Sequence, residues 1–251
     1  MAVRPAPRLT PAQIADLQRY DTPTVCNAIE LFAVRPQTEG YMDARIRACF
    51  PEMKPVCGYA STATFRSALE PSGEVAYGTL TEQVAGFEAV NRPPMVVIQD
   101  LDSPTKSAVF GEVMAATYKS FGVAGLVTGG AARDLDQVRD VGLPCFADGV
   151  ICSHGFPRFI DFEVPVHVGG LAVYPGDFLH ADQNGVTNIP PEILGEVADV
   201  CEEFVAAEAV VLDYCAAGDI TRYGYAEALK ELGSRLQGLR KRLRRGSAAS
   251  S

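Results

Sequence analysis

The sequence predicts an α/β fold: one compact domain with a central mixed or parallel sheet, a β-rich second half, and helices at both ends. Three observations predict it. Short apolar runs at 94–100 and 123–128 alternate with stretches carrying helix start and stop signals. From 159 to 188 the chain is strand-like and dense in turn residues. At 251 residues, 47% of them apolar, one core suffices, because a chain of this size buries roughly 70–75% of its unfolded surface. No internal repeat or linker divides it, so residues 1–251 are read as a single unit with a core of 20–215 and a C-terminal helix with a basic tail at 216–251.

The elements follow in order. Thr10-Pro11 opens a helix over 11–20, with proline in the favoured first turn, and Asp21-Thr22-Pro23 opens a second over 24–32. Residues 58–66 are rich in β-formers and read as a strand. A helix is expected over 80–90, then a buried strand at 94–100 closed by Asp100. The next helix, 112–121, stops at Gly122, and 123–128 is again a buried strand. A short helix over 134–141 leads through Gly142-Leu143-Pro144 into Cys145-Phe146-Ala147. In the β-rich half, Asn184-Gly185 signals a tight turn. Pro190-Pro191 precedes a long acidic helix over 192–214, and a last helix covers 223–245 before a frayed end at 246–251.

Composition narrows the function. No apolar run approaches the roughly 18–20 residues that span a bilayer, and residues 1–9 lack an apolar signal core, so a cytoplasmic protein without membrane contact is expected. The net charge is −9. Six bases near the C-terminus (Arg235, Arg240, Lys241, Arg242, Arg244 and Arg245) are set against it, so the remainder carries −15, which repels a phosphate backbone and argues against nucleic-acid binding. Those six read as a solvated helix end. Seven scattered cysteines with no C-x-x-C pair read as small buried hydrophobes in a reducing compartment. Dinucleotide, Walker and H-E-x-x-H motifs are absent. His154, His167 and His180 read as structural or surface residues, and Cys152-Ser153-His154 as no nucleophile, since neighbours on an extended segment point to opposite faces.

Chemistry concentrates between 94 and 136. If the strands at 94–100 and 123–128 are parallel neighbours, the helix between them begins at the sheet edge where the loop Gly129-Gly130-Ala131-Ala132-Arg133-Asp134 emerges. Glu112 and Arg133 then become neighbours. The helix amides can hold an anion and Arg133 can grip a carboxylate or carbonyl oxygen. Asp134 and Glu112 are hard oxygen ligands suited to Mg2+ or Mn2+. That set suits a small 2-oxo acid. Each residue also has a structural reading: Asp134 with Gln137 matches a capping box, and Glu112 complements the helix dipole. Lys106 could read a distal carboxylate, or simply be a surface lysine.

Gly111-Glu112-Val113-Met114, the run from Gly122 to Asp136 and that from Val141 to Ala147 resemble the RraA-like superfamily. So do the stretches 21–29 and 173–186, and the resemblance covers about 20–215. This group holds class II 4-hydroxy-4-methyl-2-oxoglutarate aldolases, which also decarboxylate oxaloacetate, and RraA-type regulators of a ribonuclease. The resemblance implies a swivelling β/β/α-like fold and a divalent-metal-dependent lyase releasing pyruvate from small 2-oxo acids; the alternative is a non-catalytic protein-binding regulator. It implies that Asp134 ligates Mg2+ or Mn2+ and that Arg133 binds substrate and stabilises the enolate. The backbone of Gly111, Glu112, Val113 and Met114 would hold the pyruvyl carboxylate. Glu112 stands where the aldolases usually have Asp and would orient water beside the ion. A homotrimer or hexamer, with sites near subunit interfaces, is implied as well.

Overall fold

A computed structural model describes residues 6–70 and 80–249, with side chains to residue 244. In chain order the helices are α1 (Pro11–Leu17), α2 (Thr22–Phe32), α3 (Leu80–Gly86), α4 (Glu112–Ser120), α5 (Leu135–Val141), α6 (Val197–Ala216) and α7 (Arg222–Ala249). The strands are β1 (Arg47–Ala48), β2 (Val56–Arg66), β3 (Pro94–Asp100), β4 (Ala108–Phe110), β5 (Gly125–Thr128) and β6 (Ala131–Ala132). The second half adds β7 (Cys145–Ala147), β8 (Arg158–Phe162), β9 (Val166–Val168), β10 (Leu171–Val173), β11 (Phe178–Asp182) and β12 (Gly185–Ile189).

Among the described residues the main sheet is mixed and runs β1-β7-β5-β3-β2-β11-β12, with β8 also paired to β2. Its centre, β2-β3-β5-β7, is parallel, and β1, β8, β11 and β12 pair antiparallel. The sheet nearly closes. Just ahead of β1, Tyr41 bridges to Thr187 and the Met42 amide donates to the Val186 carbonyl at 2.9 Å, so one short segment joins the β12 edge to the β7 edge.

Alternation explains how a nearly continuous apolar run is buried on both faces. Met95 and Val97 of β3, Val127 of β5 and Phe146 of β7 fill the inside of the curled sheet with Val168, Leu171 and Leu179. Their neighbours Val96, Ile98, Leu126 and Cys145 face outward against Ala115 and Tyr118 of α4 and Val138 of α5. The long β2 serves two helix layers. Cys57 and Tyr59 lie under α1, α2, α6 and α7, whereas Ala63 and Phe65 belong to the α4–α5 side.

The first two helices are tied down by buried polar contacts. Thr10 and Gln13 form a capping box on α1, and Asp21 caps α2 by accepting from the Thr24 amide at 2.9 Å. The Thr22 amide donates to Asp182 Oδ2 at 2.9 Å. His180, fully buried, donates from Nε2 to the Leu17 carbonyl at 3.2 Å, which leaves Nδ1 to accept from the Thr22 hydroxyl at 3.0 Å. Tyr59 packs edge-on against Phe178 at 4.9 Å; its hydroxyl accepts from the Leu9 amide and donates to the Pro7 carbonyl, both at 2.7 Å.

Some boundaries differ from the sequence reading. α1 and α3 stop earlier than 20 and 90. The 190–196 stretch makes two tight turns, Ile193 amide to Pro190 carbonyl and Glu196 amide to Ile193 carbonyl, so α6 starts at Val197 rather than 192. α7 continues to Ala249, past the expected frayed point. The tight turn signalled at Asn184-Gly185 is present as the β11–β12 hairpin but shifted by one residue: Gln183 and Asn184 form its tip, and Gly185 already pairs with Asp182. No cysteine among the described residues is disulfide-bonded; Cys57, Cys145 and Cys201 are buried, but Cys152 and Cys215 are exposed, unlike the buried hydrophobes expected. No helix is long and apolar enough to cross a membrane among these residues.

Two stability measurements follow. Tyr59→Phe strands the Leu9 amide and Pro7 carbonyl and should lower the urea unfolding free energy by about 1–3 kcal/mol. Burial pushes the His180 pKa below its ordinary 6.5. The unfolded chain therefore takes up a proton near pH 6.5 that the folded chain refuses, and stability should fall as pH drops from 7 toward 6. His180→Gln should flatten that part of the stability curve.

Candidate functional site

The parallel pairing of β3 and β5, Met95 opposite Gly125 through Ile98 opposite Thr128, ends both strands at one sheet edge. Thr128 locks the ends together: its hydroxyl donates to the Ile98 carbonyl at 2.8 Å and accepts from the Gly130 amide at 3.0 Å. Gly130 is required by space, because a Cβ there would lie 2.4 Å from Val109 Cγ2. The chain then forms β6, which pairs in parallel with β4 on one side and bridges Val150 on the other. This small platform carries Arg133, whose amide donates to the Phe110 carbonyl at 3.1 Å, directly before the start of α4.

Gly111 begins α4 without a side-chain cap. The amides of the first helical turn have no carbonyl a turn earlier, so they face outward as donors at the positive end of the helix dipole. One is taken: the Glu112 amide donates to Asp134 Oδ2 at 3.2 Å. The approach depends on a missing side chain. A Cβ on Gly111 would sit 2.4 Å from Asp134 Oδ2 and 3.0 Å from Arg133 Cγ and Nε. Arg133 Nε lies 3.6 Å from the same carboxylate oxygen, with both side chains about one-third exposed, at 34% and 37%. A pair that wet contributes little to stability.

Asp134 is not the capping-box residue its spacing with Gln137 suggested. It stands in the left-handed region, φ 55 and ψ 43, and makes no capping hydrogen bond to α5. That conformation turns the carboxylate away from its own helix and back toward α4, and Asp is among the few non-glycine residues that tolerate it. Oδ2 is engaged by the two donors just named, whereas Oδ1 has no hydrogen bond among the described residues.

A cleft of about 160 Å³ opens here, lined among others by Gly111, Val113, Met114, Arg133, His154 and Pro157. It is smaller than the roughly 300–1,000 Å³ of pockets for drug-sized ligands, so it suits a few-carbon molecule. Four of the residues singled out from sequence therefore share one cavity: Gly111, Val113, Met114 and Arg133. Asp134 is not among the lining residues, but its carboxylate contacts the α4 start through the Glu112 amide and lies 3.6 Å from Arg133 Nε. The Glu112 side chain is exposed and bonds to neither Arg133 nor Asp134, so only its backbone joins the cluster. Lys106 does not line the cleft. His154 and Pro157 do, and the sequence reading missed both; no motif marks them, because their place depends on a platform of two- and three-residue strands.

The donor set can be tested against a divalent ion. Among the described residues no three His, Cys, Asp or Glu side chains gather to hold a metal, so an all-protein zinc-type cage does not fit. One carboxylate with a free oxygen beside a cleft fits a hard, hydrated cation such as Mg2+ or Mn2+, which commonly takes one or two carboxylates and completes its shell with water and substrate.

Gly111→Ala should lower unfolding free energy by about 1–3 kcal/mol through overpacking against Asp134 and Arg133. Gly238→Ala, on α7 with nothing among the described residues within 4 Å of the added methyl, should raise it by up to about 1 kcal/mol. Urea denaturation of both variants checks the contrast.

Comparison with known proteins gives the family and the fold. The RraA-like profile, described as Aldolase/RraA, matches residues 22–187. A protein of Halalkalibacterium halodurans described as a candidate 4-hydroxy-4-methyl-2-oxoglutarate aldolase is 31% identical over 99 residues, 39% of this chain and 47% of its own. Matched segments span 17% to 64% of the curated relatives' lengths. A crystal structure of an uncharacterised Pseudomonas syringae protein superposes with a TM-score of 0.71 at 18% identity, covering 92% of this chain and 99% of that one. Streptomyces coelicolor RraAS2, described as an unusual member of the RNase ES inhibitor RraA family, gives a TM-score of 0.64 at 25% identity, with 80% and 97% covered.

Proposed function

Because the chain belongs to the RraA-like family of aldolase and RraA proteins, we propose that it is a divalent-metal-dependent lyase that releases pyruvate from small 2-oxo acids. The substrates are 4-hydroxy-2-oxo acids, cleaved by retro-aldol reaction, and oxaloacetate, which loses CO2. One observation carries this reading: the start of α4 and Arg133 line one small cleft, and the Asp134 carboxylate contacts both, through the Glu112 amide and the Arg133 guanidinium.

Each group has a task. The first-turn amides of α4, at Val113 and Met114, hold the carboxylate of the 2-oxo acid with help from the helix dipole. Arg133 faces the 2-oxo oxygen, where negative charge collects as the C3–C4 bond breaks, and fixed cationic donors are strongest at such a position. Asp134, turned toward the α4 start by its left-handed backbone, offers Oδ1 to Mg2+ or Mn2+. Such an ion would supply Lewis-acid stabilisation of the same charge. Both reactions leave the same pyruvate enolate, so one arrangement serves both.

Purified protein should release pyruvate from oxaloacetate and from 4-hydroxy-4-methyl-2-oxoglutarate in a coupled assay, lose that activity with EDTA and regain it with Mg2+ or Mn2+. Arg133→Ala should lower turnover by about 100-fold or more. Asp134→Asn, which keeps the size and tolerates the left-handed conformation, should do the same. A folded chain that releases no pyruvate overturns this reading. The protein-binding role named for the RNase ES inhibitor family of RraAS2 would then be the one to test.

A further inference from the structure

Two residues of the cleft lining, His154 and Pro157, belong to the segment between 149 and 157. That segment is held from three sides. Ala132 of β6 donates to the Gly149 carbonyl at 2.9 Å and accepts from the Ile151 amide at 3.0 Å. The Ala108 amide of β4 donates to the Ser153 carbonyl at 2.7 Å, and the Phe156 amide to the Ser67 carbonyl at 3.0 Å. Gly155 makes the fold-back possible: its φ is +52, and a Cβ there would lie 2.7 Å from the Ser67 carbonyl oxygen. His154, directly before this glycine, is thereby fixed at the cleft.

Its proton arrangement follows from one contact. His154 Nδ1 lies 2.9 Å from the Gly155 carbonyl oxygen. A carbonyl oxygen only accepts, so Nδ1 carries the hydrogen and, in the neutral ring, Nε2 keeps a free lone pair. Among the described residues the cleft lining contains no other side chain able to take a proton: Arg133 is the one other ionisable group along it, and it is a permanent cation. The acids around the mouth are differently placed, with Asp134 engaged by the Glu112 amide and Arg133, and the Glu112 side chain outside the lining. The remaining imidazoles are elsewhere: His180 is fully buried with both nitrogens bonded, and His167 lies outside the cleft.

Resting on the lyase reading above, we propose that His154 is the proton acceptor for the C4 hydroxyl in retro-aldol cleavage. Nε2 takes the hydroxyl proton. The O–H electron pair forms the C4 carbonyl, and the C3–C4 pair moves to C2–C3, placing the negative charge on the C2 oxygen before Arg133. The imidazolium returns its proton to C3, which yields pyruvate, the released aldehyde or ketone, and neutral imidazole. Oxaloacetate has no hydroxyl to deprotonate at this stage. Its C4 carboxylate leaves as CO2 with the bond pair going to the same enolate, and water can protonate C3 in so exposed a cleft. Removal of a hydroxyl proton by His154 is therefore a step of one of the two reactions and not of the other.

The test compares both substrates on the whole protein. His154→Gln should lower kcat for the 4-hydroxy-2-oxo acid by about 100-fold or more, the usual size of a general-base contribution, and lower oxaloacetate decarboxylation by a far smaller factor, since that reaction has no hydroxyl to deprotonate. Thermal unfolding should be unchanged, because the side chain is exposed. Equal retention of both activities, equal loss of both, or a rise in KM alone overturns the assignment; the last result would make His154 a substrate-binding group. A wild-type protein that releases pyruvate from neither substrate removes the lyase reading and this assignment with it.

Discussion

Two-sided burial of the parallel pair β3–β5 is the constraint on which the rest depends. Met95, Val97 and Val127 point into the curled sheet, and Val96, Ile98 and Leu126 point to the helices; all six are fully buried. A slip of one residue would exchange the two sets and drive side chains shaped for one layer into the other. The register is therefore fixed, and with it the level at which the two following segments leave the sheet. Everything at the cleft inherits that level. The start of α4 and the Arg133–Asp134 turn meet because neither strand can move along its neighbour.

What gathers there is not organised for stability. The Arg133–Asp134 pair is wet and 3.6 Å apart, the α4 start has no side-chain cap, and Asp134 occupies a conformation that L-residues avoid. Such departures persist where the surrounding structure over-determines them, and they cluster at functional sites. Here the surroundings are specific: the Gly111 gap, the Phe110 carbonyl that holds the Arg133 amide, and the Thr128 hydroxyl behind them.

Much of this was legible in the sequence, for identifiable reasons. The strand Pro94–Asp100 has the bounds expected of it, because a proline opens it and an acid closes a run apolar on both faces. The crossover to β5 followed from its length and handedness, and it brought the α4 start to the Arg133 loop. The Asp134 capping reading failed for a local reason: spacing to Gln137 reports residue types, whereas the sign of φ decides where the carboxylate points. Glu112 shows the same limit, since its position along the chain was readable but its side-chain direction was not. His154 was out of reach because β4, β6 and the bridge at Val150 are too short to leave a periodic pattern.

The seam between Tyr41 and Ala48 has a consequence of its own. A sheet curled until its β12 and β7 margins are stitched to one strip of chain covers those two rows of amides and carbonyls, and so guards these margins against joining a neighbour edge to edge. The stitching is thin, though: β1 is two residues long, and the opposite margin is held at Tyr41 and Met42. If the cylinder ever unzips, this strip is where it parts, and the margin it guards would then be bare.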